Sequence, residues 1–259
     1  MVTIKAYKGY LIDLDGTMYS GTLPIPTAKP FIENLVAKDI PHLFLTNNAT
    51  RTPEEVAAYL KEICDIDTTA DHVYTSAIAA VDYVAKEHPA ARTFILGESA
   101  LIKEAESKGL ALTDQDADVV IQALDRTLTY DKLATANLAI RNGAVFIATN
   151  PDTSIPTEKG FLPGAGSLTA FLKTSTQKEP VVIGKPYSFI MDGALERLGL
   201  AKEDVVMVGD NYNTDILAGI HYDMDTILTL TGFTSREDLS YIDEKPTHIV
   251  NDLAEWVVL

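Results

Sequence analysis

Short apolar runs alternate with segments of helical periodicity along nearly the whole chain, the pattern of a parallel β-sheet covered by helices. The run Tyr10-Leu11-Ile12 reads as a buried first strand. A helix over about residues 28–38 follows, and then a second strand from His42 to Leu45 that delivers Thr46 at its end. Thr52-Pro53-Glu54-Glu55 predicts a helix start, with Thr at the N-cap, Pro at the first helical position and Glu three residues past the cap. A short third strand is expected near Val73. The last third repeats the alternation, with strands expected at 181–183, 205–208, 226–228 and 248–250 and helices between them.

The middle of the chain has its own strand-like runs at 93–96, 119–121 and 144–147, and Leu133, Ala136 and Ile140 share one helical face. Residues 82–178 therefore read as an inserted smaller domain, and residues 1–81 and 179–259 close into one sheet around it. The expected class is α/β: a Rossmann-like parallel sheet core flanked by helices, carrying an inserted α/β cap domain.

Charge changes the picture more than overall composition does. With 46% apolar and 22% charged residues the chain is an ordinary globular protein of 259 residues. Its 21 Lys and Arg stand against 37 Asp and Glu, a net charge of −16 that disfavours nucleic acid and anionic membrane surfaces as partners. Such a protein also repels anionic substrates at long range, so any phosphate site must be made locally positive by a metal ion, a lysine and backbone N–H groups. Cys64 is the single cysteine, which excludes an internal disulfide and fits a reducing compartment. Met1-Val2-Thr3-Ile4-Lys5 lacks a signal-peptide apolar core, and no apolar run approaches the ~20 residues of a membrane span. A cytoplasmic location is expected. No interface signal stands out, and both a monomer and a homodimer fit the sequence.

Ligands of open parallel sheets bind beyond the carboxyl ends of the strands, and Asp13 follows the first strand there. Asp15 lies two residues on, in Asp13-Leu14-Asp15-Gly16-Thr17. Two carboxylates at one strand end repel unless a cation compensates them, which points to a hard divalent metal bound by oxygens. On a turning backbone, one can ligate metal and attack phosphorus while the other protonates the leaving oxygen. An isolated Asp-x-Asp pair reads first as a polar turn; its company decides otherwise. Asp210 follows another apolar strand in Gly209-Asp210-Asn211-Tyr212-Asn213-Thr214-Asp215, with Asp215 about one helical turn further on. Gly184-Lys185-Pro186 follows a third strand and brings an ammonium, and Thr46-Asn47-Asn48 follows a fourth with hydroxyl and amide donors for phosphate oxygens.

These motifs resemble the haloacid dehalogenase superfamily, and within it the NagD-like phosphatases with a large α/β cap. The resemblance spans essentially the whole chain and includes Ala148-Thr149-Asn150-Pro151-Asp152 and Pro163-Gly164-Ala165-Gly166. It implies that Asp13 is a nucleophile forming an aspartyl-phosphate, and that Asp15 is the acid for the leaving group and then the base for water. It implies Mg²⁺ held by Asp13, the Asp15 backbone carbonyl and Asp210, with Asp215 in support. Thr46, Asn47 and Lys185 would hold the phosphoryl oxygens, and Asn150, Asp152 and Thr153 would lie near the leaving group, although a turn role for Asn-Pro-Asp fits equally. The implied substrate is a small phosphorylated metabolite such as a nucleoside monophosphate, a sugar phosphate or phosphoglycolate.

Other signals read as structural. Asp125-Arg126 is expected in a solvated loop and Asp114 to Asp118 in a solvated turn. Gly164-Ala165-Gly166-Ser167 lacks the ending of a phosphate loop and reads as a helix entry. His42 and His248 lie in strands, and Cys64 ends a helix without a basic neighbour. Two rival functions share the acidic cluster, Thr and Lys: a phospho-acceptor module that does not turn over, and a phosphotransferase or mutase.

Overall fold

Runs rich in Val, Ile and Leu become strands buried on both faces, as a sheet covered by helices requires. The computed structural model describes residues 5–157 and 159–259. The chain divides into two compact units, one of residues 1–45, 53–74 and 191–259, the other of 46–52 and 75–190.

The first unit is built on a sheet of six strands. In spatial order these are His248–Val250, Asp225–Thr229, Val205–Gly209, Gly9–Ile12, His42–Thr46 and Val73–Thr75. Gly9–Ile12 lies parallel to both neighbours, with Ile12 opposite Val208 on one side and Phe44 on the other. From this strand the chain builds outward through His42–Thr46 and later returns to place Val205–Gly209 on the opposite flank. The order thus reverses between Gly9–Ile12 and Val205–Gly209, the switch point at which such sheets open a crevice.

Helices close the core by their apolar stripes. Helix Ala28–Ala37 buries Ala28, Phe31, Ile32 and Leu35, the i, i+3, i+4, i+7 face that a sheet-packed helix needs. Phe31 meets Tyr10 edge to face, and both join Phe44, Val206 and Ile227 in one cluster. Helix Pro53–Cys64 starts at the expected proline with Glu54 and Glu55 in its first turn, where carboxylates complement the helix dipole. Cys64 closes it, buried, with its Sγ 3.5 Å from the Met18 carbonyl.

The second unit has a five-stranded sheet in the order Val181–Val182, Val145–Ala148, Val119–Gln122, Arg92–Leu96 and Ala111–Leu112, paired in parallel. Helix Tyr130–Arg141 is capped by Thr129, whose hydroxyl accepts the Lys132 N–H, and it buries Ala136 and Ile140 with Leu133 packed beside them. Here the structure corrects one expectation. Val181 and Val182 pair with Ile147 and Ala148 of this smaller sheet instead of extending the larger one. An apolar run specifies that a strand will be buried, but not which sheet will bury it.

Asp125 also departs from the solvated loop expected of it. It is buried and accepts Lys132 Nζ at 2.7 Å and the Thr127 N–H and hydroxyl at 2.8 and 2.7 Å. Arg126 alone keeps the exposed character, paired with Glu98 at 2.7 Å. Asp114 to Asp118 form the solvated turn their composition implies, with Asp118 bound to Arg92.

Candidate active site

In the first unit, the end of the central strand carries Asp13, whose N–H donates to Val208 O at 2.9 Å and so continues the sheet one residue beyond the strand. The chain then turns through Gly16, whose φ of +96° favours glycine, and enters a short hairpin of Tyr19–Ser20 with Leu23–Pro24. A Cβ on Gly16 would overlap the Asp210 carboxylate, so the missing side chain is what lets Asp210 approach. Asp15 sits on this turn with its side chain exposed, and Oδ1 lies 3.4 Å from the Gly21 N–H.

Asp210 and Asp215 come from the end of Val205–Gly209 and from the wide helical turn Tyr212–Ile216 after it. Asp13, Asp210 and Asp215 are all buried and each offers an oxygen within 4.8 Å of the others. Asp210 receives the Phe233 N–H at 2.6 Å and the Thr17 hydroxyl at 3.3 Å. Asp215 receives the Asn211 N–H at 3.1 Å and the Thr214 hydroxyl at 3.2 Å. These donors orient the oxygens but carry no full positive charge. Three buried carboxylates this close favour a divalent cation with hard oxygen ligands, so the donor set fits Mg²⁺.

The loop after Asp225–Thr229 was not singled out from sequence, although it matters here. Thr231 donates to Gly16 O at 2.7 Å, and Thr234 accepts the Tyr212 N–H at 2.8 Å. Glycine flanked by threonines directly after a strand, in Thr231-Gly232-Phe233-Thr234, was the available signal.

In the second unit, Thr46, Asn47, Asn150, Asp152 and Lys185 are brought together around Asn47. Its Oδ1 accepts the Lys185 N–H at 2.8 Å and its Nδ2 donates to Lys185 O at 3.0 Å. The same Nδ2 lies 3.3 Å from both Asp152 carboxylate oxygens. Thr46 Oγ1 accepts the Asn48 N–H at 3.1 Å. Asn150 turns inward: its Nδ2 donates to Asn47 O at 2.9 Å and its Oδ1 accepts the Asp152 N–H at 3.2 Å. Thr153 is exposed and contributes its carbonyl, which accepts from Ser167 Oγ and Gly164 N. With Gly166 N on Asp152 O, these bonds fasten the loop to the first turn of helix Ala165–Thr176. Lys185 is 1% exposed, an unusual degree of burial for a lysine.

Comparison with known proteins places this arrangement. A family model described as haloacid dehalogenase-like hydrolase matches residues 10–111, and a second, HAD-hydrolase-like, matches 182–256. The chain belongs to the haloacid dehalogenase-like hydrolases. It is 48% identical to the 5'-nucleotidase YutF of Bacillus subtilis (strain 168), over 98% of this chain and 99% of that protein. It is 50% identical to an acid sugar phosphatase of Staphylococcus aureus (strain MRSA252), over 98% of each. A thermostable NPPase double mutant from Geobacillus stearothermophilus superposes with a TM-score of 0.93 at 46% identity, over 99% of this chain and 100% of that one. Within the family, the chain falls in the NagD-like branch.

Proposed function

We propose that this protein hydrolyses small phosphomonoesters with Asp13 as nucleophile and Mg²⁺ as cofactor. It is an enzyme, a phosphoric monoester hydrolase. The observation that carries the mechanism is the buried trio Asp13, Asp210 and Asp215 at the switch point of the larger sheet.

Asp13 attacks phosphorus, and the bond to the ester oxygen breaks as Asp15 gives that oxygen a proton. The product alcohol leaves and Asp13 carries the phosphoryl group. Asp15, now a carboxylate, takes a proton from water; the water oxygen attacks phosphorus, phosphate departs and Asp13 is restored. The exposure of Asp15 supports this role, since its carboxyl must exchange protons with an alcohol and then with water. Thr46 and Lys185 hold the phosphoryl oxygens, because phosphoryl transfer depends chiefly on positioning and charge stabilisation. Asp13, Asp210, Asp215 and the Asp15 carbonyl would hold Mg²⁺. When bound, the ion would supply positive charge to both the carboxylates and an incoming phosphate.

Segment 82–178 would serve as the cap domain, its sheet extended by Val181–Val182, and Asn150, Asp152 and Thr153 would read the leaving group. Nucleoside monophosphates and sugar phosphates are the substrate classes to test first, given the names of the relatives. The single buried cysteine supports a cytoplasmic setting, and among the described residues no helix is long and apolar enough to cross a membrane.

The test is a screen of phosphate esters with and without Mg²⁺, with Asp13→Asn as control. Steady multiple-turnover phosphate release that requires the ion and vanishes in Asp13→Asn is expected. A single stoichiometric phosphorylation, or an isomerised sugar phosphate as the main product, would overturn hydrolysis. Substantial turnover by Asp13→Asn would remove Asp13 as nucleophile.

A further inference from the structure

An asparagine side chain has two N–H donors and one carbonyl acceptor, and at Asn47 all three are committed. One N–H faces Lys185 O at 3.0 Å, the other has the Asp152 carboxylate at 3.3 Å, and the carbonyl accepts the Lys185 N–H at 2.8 Å. The main chain of Asn47 is fixed as firmly, its carbonyl accepting Ser76 Oγ at 2.6 Å and Asn150 Nδ2 at 2.9 Å. Ser76 and Asn150 are themselves buried, so these bonds have little competition from water.

A phosphoryl oxygen can only accept hydrogen bonds. To bind the Asn47 side chain it would have to break one of these contacts, and it would arrive beside the Asp152 carboxylate, which repels it. We propose that Asn47 is a positioning residue: its amide clamps the main chain of Lys185 on both its N–H and C=O sides, ties Asp152 to the same point, and does not itself bind the phosphoryl group through its side chain. This rests on the assignment of Lys185 to the phosphoryl oxygens.

The clamp answers a specific difficulty. A lysine ammonium sits on four rotatable bonds and is a point charge without the fixed fork of an arginine. Its aim therefore depends on where its backbone begins. A two-point contact on one residue's N–H and C=O sets that origin much as a neighbouring β-strand would. The approach is close enough to restrict the preceding residue too, because a Cβ on Gly184 would come within 2.5 Å of Asn47 Oδ1. Asp152, on the same amide, moves with the lysine, so the charge that holds phosphate and the carboxylate beside the leaving group share one support.

The experiment is a double-mutant cycle in the full-length enzyme with Mg²⁺ and p-nitrophenyl phosphate, using Asn47→Ala, Lys185→Met and the double variant. Lys185→Met should lose roughly 100–1,000-fold in kcat, as for loss of a single transition-state donor. Asn47→Ala should lose on the order of 30-fold in kcat, with KM and the inhibition constant of inorganic phosphate changed less than about threefold. In the Lys185→Met background, Asn47→Ala should cost less than about threefold more, since the clamp then has nothing to aim. Full additivity, or a loss confined to phosphate affinity, would make Asn47 a direct ligand and overturn the proposal. Wild-type kcat in Asn47→Ala would overturn it as well. Asn47→Asp, of nearly the same shape but with an oxygen facing Lys185 O and Asp152, should show the same kcat loss while melting near the wild-type temperature; an unimpaired kcat there would again contradict the clamp. Full activity of Lys185→Met would instead defeat the assignment of Lys185, a result distinguishable from failure of the clamp alone.

Discussion

The backbone N–H of Phe233 meets Oδ2 of Asp210 at 2.6 Å, so a carboxylate carried by one strand end is aimed by the loop leaving the next strand. Thr17 approaches the other oxygen, Oδ1, at 3.3 Å. These donors orient the cluster, and a divalent cation held there would offset the repulsion among its carboxylates. Mg²⁺ at ~100 times its Kd should stabilise the fold by ~2.7 kcal/mol. For a chain of this length that is a rise in Tm of roughly 5–10 °C. Asp210→Asn should abolish the rise. A Tm that still climbs with Mg²⁺ as in the wild type would remove Asp210 from the ligands.

Asp125 is a buried carboxylate outside that cluster, held for a different purpose. Burial raises its pKa, but hydrogen bonds from Lys132 and Thr127 outweigh that and leave it below the usual carboxylate value. Its contribution to stability is complete above ~3.9 and is lost as pH falls through the lower native value. Lys132 is partly exposed and can rehydrate when its partner is removed. Asp125→Ala should therefore cost about 1–3 kcal/mol, less than for a fully buried pair. The check is a urea titration with an unchanged m-value; a loss under ~0.5 kcal/mol would show the carboxylate to be dispensable.

Two histidines in the larger sheet set an acid limit on stability. Burial lowers the pKa of His42, opposed by a hydrogen bond to the Ile40 carbonyl and aided by the neighbouring His72. Burial likewise lowers that of His248, opposed by Asp225. Both rings stay neutral in the native state at a pH where the unfolded chain has begun to protonate them. Stability should then decline as pH falls below ~6.5 and continue to decline down to the lowered native values. The Tm of a His42→Gln, His248→Gln variant should change less between about pH 7.5 and 5.5 than that of the wild type. Equal slopes would show that the histidines are not the source.

What could be read in advance follows the range of the interactions involved. The strand ends bearing Asp13 and Asp210 were legible because an apolar run and the polar residues after it are adjacent in sequence. Helix Pro53–Cys64 was legible for the same reason, since its capping signal lies within four residues. The partners of Asn47 were not, because Lys185 and Asp152 lie more than a hundred residues away and no local pattern encodes a side-chain amide closing on a distant peptide. Asp125 was misjudged because a carboxylate in a polar stretch reads as solvated until Lys132, one helix entry later, is seen to cover it. The hairpin of Ser154–Thr157 with Gly160–Pro163 was overlooked as well. Two prolines and exposed Phe161 and Leu162 give it neither the alternation nor the burial on which strand detection depends.

The switch point between Gly9–Ile12 and Val205–Gly209 also dictates an order of events during synthesis. The strand bearing Asp13 leaves the ribosome long before its neighbour on one flank, Val205–Gly209. The smaller sheet, whose strands lie between Arg92 and Val182, is complete in the nascent chain before that neighbour exists. Until then Gly9–Ile12 has one open edge, and long-range parallel pairing of this kind is slow and prone to aggregation. Asp13, the proposed nucleophile, thus waits for its full setting until residues 205–209 are released and the open edge of its strand is closed.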